Sequence, residues 1–156
     1  ALTAEVNRLW RSRPELITPR MVLARLVAEF SRRAYEGRVY AKAHNVRAAF
    51  AHAYDRALAR VDVLVLPTAP STAPRYEPAT LESTLDSSDE VARNTQPFNY
   101  TGHPALTVPC GRSGSLPVGM QLVARPYEDP LLLRVAHAFE QAVDYEEIIA
   151  LPSPSS

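Results

Sequence analysis

"NTQPFNYTGHPALTVPCG", residues 94–111, is the stretch on which the reading of this chain turns. Polar residues recur at Asn94, Thr95, Asn99, Thr101 and His103, three prolines punctuate the run, and the lone cysteine, Cys110, closes it. Together with the residues just ahead of it, the run predicts a short helix over 88–102, capped by Ser88 and closed by Gly102. "ALTVP" (105–109) then reads as a strand. One chemical reading makes Cys110 a nucleophile and His103 its base. A cysteine nucleophile needs its pKa depressed by a helix N-terminus, a cation or a paired imidazole. Across a strand, seven positions apart, Cys110 and His103 have no evident way to meet, and a free cysteine at a strand end is ordinarily a small buried thiol. Both residues are therefore expected to be structural.

Outward from this stretch the chain keeps a regular order. "PVGMQLVA" (117–124) is a further strand, and "GRSGS" between the two strands supplies glycines for a tight reversal. Asp129 and Pro130 begin a closing helix near 130–143, with Leu132, Val135, Ala136, Phe139 and Val143 as its inner face. "LPSPSS" (151–156) reads as a flexible tail. In the other direction, residues 67–88 carry four prolines and many Ser and Thr, which predicts a long surface loop of the kind that serves as a lid, binding element or partner contact. "VDVLVLP" ahead of it reads as a buried strand near 62–66. Long helices fill 19–60: one starts at the Thr18–Pro19 cap and stops at Gly37, and the next runs from Arg38 to about Arg60. Residues 2–12 are also helical by pattern. Three apolar strands under this many helices imply an α/β fold of helix layers and a mixed β-sheet, continued by something outside this chain.

The totals fit one domain over residues 1–150 of the 156. The chain is 46% hydrophobic and 22% charged, which excludes a disordered polar chain. No apolar run approaches the roughly 18 residues of a membrane span. A single cysteine cannot form an internal disulfide, so a cytoplasmic setting is expected. Because the chain begins at Ala1 in helix-forming sequence, a processed or partial chain is expected. Residues 1–60 hold 12 basic against 5 acidic residues, and 61–156 hold 5 against 12. The basic residues are spread singly over helical turns, which fits solvated helix faces better than a nucleic-acid partner.

No self-sufficient catalytic set is evident. His44, His52, His103 and His137 lack metal-ligand spacing, and no paired-cysteine motif exists, so neither a metal nor another cofactor is expected. Lys42, the only lysine, sits in an Arg-rich helix and is expected to face solvent or pair with an acid. "GRSGS" lies between strands, whereas a nucleophile elbow joins a strand to a helix.

Three pieces in order carry a family resemblance: "GRVYAKAHNVRAAFAHAYDRALARVDVLVLPTAP" (37–70), the opening stretch, and "LPVGMQLVARPYEDPLLLRVAHAFEQ" (116–141). Over about residues 37–144 the chain resembles the C-terminal portion of the amidase signature family. The resemblance implies the end of an α/β/α sandwich, in an enzyme that hydrolyses a carboxylic amide to acid and ammonia. It also implies a Ser-Ser-Lys acyl-transfer mechanism whose residues precede this region, so no catalytic residue is assigned here and the chain alone is expected to be inactive. What carries over is the edge of the substrate pocket. Thr95 and Phe98, three apart on one helical face, are the expected substrate-binding pair, while Asn99 and Gly102 are structural. The implied partners are the N-terminal amidase section and a small amide substrate, with homo-oligomers left open. Two other readings stay open: the amidase component of a tRNA-dependent amidotransferase, and a non-catalytic binding or scaffold chain derived from the fold.

Overall fold

The chain's computed structural model describes residues 2–75 and 91–150. Ser88 and the tail 151–156 lie outside the described residues, as do residues 76–88 of the predicted loop. Within them, residues 2–43 form one compact unit, and 44–75 with 91–150 form the other. None of the described helices is long and apolar enough to cross a membrane.

The first unit holds α1 (Leu2–Ser12), a 3-10 turn (Pro14–Leu16) and α2 (Pro19–Tyr35). It also holds the first turns of α3 (Arg38–Leu58). The predicted cap forms: the Thr18 hydroxyl accepts from the Met21 N–H at 3.4 Å, and Pro19 occupies the first turn, where its missing N–H costs nothing. Replacing Thr18 with Ala should lower the stability of α2 by about 1 kcal/mol, read as faster amide exchange at Met21. At the other end the left-handed turn begins one residue before the predicted stop, with Glu36 at φ 50° and Gly37 at φ 81°. The basic faces are paired locally. Arg32 and Arg33 reach Glu29 at 2.8 and 2.6 Å, and these guanidiniums hold its carboxyl down at about 2. The apolar residues that recur at helical spacing along α2 are open in this unit, with Leu26, Val27 and Phe30 all more than half exposed.

The second unit contains the rest of α3, then β1 (Leu64–Pro67), α4 (Gln96–Thr101), β2 (Ala105–Ser113), β3 (Leu116–Val123), α5 (Asp129–Ala142) and α6 (Tyr145–Ile149). The strands order β1-β3-β2, and both pairings are antiparallel. Any parallel strand of the expected mixed sheet therefore lies outside the described residues. Register places Val65, Leu122 and Leu106 side by side, with Pro67, Met120 and Val108 two positions on. Because side chains alternate along a strand, these six share one face. Leu132 and Ala136 of α5 close over that face, joining Val108, Leu122 and Ala124 in the core. Val65 stays 61% exposed because β1 is an edge strand, which also explains how Pro67 can end it without breaking a ladder.

Several boundaries differ from the pattern: of the helix predicted over 88–102, residues 91–95 form turns and α4 begins only at Gln96, after the Thr95 cap position and ahead of Pro97 in the first turn. β2 does not stop at Pro109 but runs on to Ser113 through a bulge between Pro109 and Gly111. Cys110 is the extra residue of that bulge, and its thiol contacts the Val118 carbonyl at 3.5 Å. Helix α6 falls where the hydrophobic pattern predicts no element, although Asp144 followed three residues later by Glu147 is the signature of a capped start. The Asp144 carboxylate accepts from the Glu147 N–H at 3.1 Å.

Candidate functional site

The sheet face opposite α5 carries the polar residues. Register sets Leu66, Gln121 and Thr107 beside one another on it, and Gly119 lies two positions along β3 from Gln121. Just past β1, the Thr68 N–H donates to the Gly119 carbonyl at 2.9 Å. The Thr68 hydroxyl meets that of Thr107 at 3.2 Å, above the central strand. Gly119 permits this meeting. A Cβ there would lie 2.9 Å from the Thr68 hydroxyl oxygen and 3.1 Å from the Thr107 methyl. Gly119→Ala should therefore push the threonines apart and cost about 1–3 kcal/mol, measured by chemical denaturation. A cavity of about 460 Å³ opens beside the pair, walled by Pro67, Ala69, Pro70, Val91, Pro117 and Val118.

Gln121, 2% exposed, donates its amide to the Asn94 carbonyl at 2.9 Å, and the Asn94 side chain donates to the Pro67 carbonyl at 2.8 Å. These bonds tie the entry to α4 to the central strand and to the end of β1. Thr95 follows at the N-cap position, half-buried, but its hydroxyl donates back to the Ala92 carbonyl at 3.1 Å and does not cap the helix. Phe98 is 4% exposed and meets the Tyr54 ring edge-on at 5.1 Å, so its ring is buried against α3. Asn99 is exposed on the same helix. Gly102 closes α4 at φ 86°, its N–H donating to the Phe98 carbonyl at 2.8 Å. Of the expected residues, Thr95, Phe98, Asn99 and Gly102 thus sit on one short helix. Gln121, Thr68 and Thr107 carry no sequence signal that marks them out, and Asn94 stands out only as one of the polar residues of the opening stretch.

His103 and Cys110 engage different partners. The His103 side chain is 1% exposed, with Nδ1 at 2.9 Å from the Thr101 hydroxyl and Nε2 at 3.2 Å from the Asp55 carboxylate. Hydroxyl, imidazole and carboxylate stand in the order of a proton relay. Thr101 is itself buried and the Gly102 N–H is committed to the Phe98 carbonyl, so this N–H does not serve as an oxyanion donor to the set. The relay order here locks α3 to the start of β2. Lys42 is exposed in the first unit, and "GRSGS" ends β2 and supplies the β2–β3 hairpin turn at Gly114 and Ser115, with Gly114 at φ 61°. No three His, Cys, Asp or Glu among the described residues converge as metal ligands.

Comparison with known proteins adds the family. The amidase family model matches residues 5–133, beginning well ahead of residue 37. A glutamyl-tRNA(Gln) amidotransferase subunit from Methanosarcina barkeri (strain Fusaro / DSM 804) is 42% identical over 112 residues, covering 71% of this chain and 23% of that protein. Among solved structures, one described as an amidase superposes with a TM-score of 0.70 at 28% identity, covering 88% of this chain and 31% of its own. The corresponding glutamyl-tRNA(Gln) amidotransferase subunit of Thermotoga maritima gives a TM-score of 0.64 at 29% identity, covering 98% of this chain and 33% of its own. This chain thus spans 23% of the length of the Methanosarcina relative. On the strength of the family match, the chain belongs to the amidase family.

Proposed function

We propose that this chain is the C-terminal section of an amidase that hydrolyses a carboxylic amide to the acid and ammonia. In this reading the nucleophilic serine, the bridging serine and the lysine lie in an N-terminal section outside the chain. The serine attacks the amide carbonyl, ammonia departs with a proton relayed from that serine, and water then cleaves the acyl ester to free the acid. One observation carries the proposal: the family match covers residues 5–133, yet the hydroxyl and imidazole of the described hydroxyl–imidazole–carboxylate set are buried and bonded to one another. The contribution of this section is substrate shaping. Thr95 offers its hydroxyl at the pocket edge, and Phe98, seated on Tyr54, holds the α4 face behind it. The partners are then the N-terminal section and a small amide, in the cytoplasm.

A second reading is supported by the 42% identical relative: the amidase component of a tRNA-dependent amidotransferase, working with further subunits and charged tRNA. The test of the main proposal uses a serine-reactive fluorophosphonate on the polypeptide in which this chain follows its N-terminal section. Mapped peptides should carry the label upstream of Ala1. A label on Thr101, Cys110 or any other residue of this chain would overturn the proposal.

A further inference from the structure

We propose that Gln121 is a positioning residue for the reaction: its buried amide fixes the peptide that aims Thr95 at the pocket edge. The inference rests on the amidase reading and adds to it the residue that sets the geometry of that edge. Gln121 lies in the central strand, β3, and is 2% exposed. A carbonyl can only accept, so it is the amide nitrogen of Gln121 that faces Asn94, donating to its carbonyl at 2.9 Å. That carbonyl belongs to the peptide joining Asn94 to Thr95, and a peptide is planar from one Cα to the next. Holding its oxygen therefore also holds the Thr95 N–H and Cα. A second bond stops Asn94 from turning about the first, since its side chain donates to the Pro67 carbonyl at 2.8 Å. Thr95 itself is then seated by local bonds. Its N–H and its hydroxyl both donate to the Ala92 carbonyl, at 3.0 and 3.1 Å. Phe98 seats α4 from its buried side against Tyr54, while the bonds from β3 and to the end of β1 set the direction of its entry. Burying an amide costs desolvation that an apolar residue of similar length avoids; a hydrogen bond supplies direction, which apolar contact does not.

The test measures ammonia release from isobutyramide by the polypeptide in which this chain follows its N-terminal section. Gln121→Met, which keeps the length and loses the donor, should raise KM about 5-fold and leave kcat within about 2-fold. Gln121→Glu should depend on pH. A protonated carboxyl donates to the Asn94 carbonyl in place of the amide, whereas a carboxylate cannot. Its KM should therefore match the parent's in acid and exceed it as pH rises, a dependence that a volume-filling role would not produce. Asp55→Asn, which loosens α3 from β2 and not the entry to α4, should leave KM unchanged. Asn94→Ala removes the bond to Pro67, should raise KM in the same direction, and serves as the second variant should Gln121→Met fail to fold. KM unmoved in Gln121→Met or Asn94→Ala, or a KM ratio of Gln121→Glu to parent that is constant with pH, would overturn the proposal. No ammonia from the parent joined polypeptide would remove the amidase reading instead, and the positioning is then read from amide exchange in the 156-residue chain. Gln121→Met should speed exchange at the Thr95 and Gln96 N–H groups about 5-fold, and unchanged rates there would overturn the positioning.

Discussion

Phe98→Ala is expected to lower the unfolding free energy of the second unit by about 3–4 kcal/mol, the usual cost of emptying a buried aromatic position. Phe98 is 4% exposed, and its ring meets Tyr54 edge-on at 5.1 Å. α4 has only six residues, too few to hold a helix by its own hydrogen bonds. Its position therefore depends on this ring, on the Gln121–Asn94–Pro67 bonds at its entry and on Gly102 at its exit. Urea denaturation should show a lower midpoint with an unchanged slope. Phe98→Leu, which keeps much of the volume, should recover over half of the loss. Equal stability of Phe98→Ala and the parent would mean that α4 is not anchored through this ring.

His103→Ala carries the second large effect, about 2–3 kcal/mol on the same assay. The substitution removes both imidazole bonds, leaves the buried Thr101 hydroxyl without its partner and opens a cavity beside Tyr54. Asp55→Asn should cost about 1 kcal/mol, because Asp55 is 46% exposed and an amide oxygen still accepts a bond from the ring. Cys110→Ala provides the contrast. Its thiol makes one long contact in a bulge, so its loss should stay below about 1 kcal/mol. A larger effect at Cys110 than at His103 would reverse this assignment of roles.

Much of the framework is legible in the sequence because local signals and tertiary packing agree. Thr18–Pro19 and the Leu132–Ala136 stripe each announce an element in adjacent or near-adjacent residues, and both elements form where the pattern places them. β2 runs past its predicted end because Pro109 reads as a stop, whereas a bulge on an edge strand lets the pairing continue. The polar face resists sequence reading for a different reason. Thr68 and Thr107 are 39 positions apart, Asn94 and Gln121 are 27 apart, and Asp55 and His103 are 48 apart. No periodicity links residues at such distances; register does. Gly119 is the available clue, since a glycine inside an apolar strand marks a close approach by a neighbour. The stretch 94–111 is decisive less for its chemistry than for its anchoring to α3, β1 and β3.

The family account is tested most directly by ammonia release from isobutyramide in three samples: this chain alone, the N-terminal amidase section alone, and the two joined in one polypeptide. The account predicts turnover only in the joined polypeptide. Turnover by the 156-residue chain alone, abolished by Cys110→Ala, would contradict it.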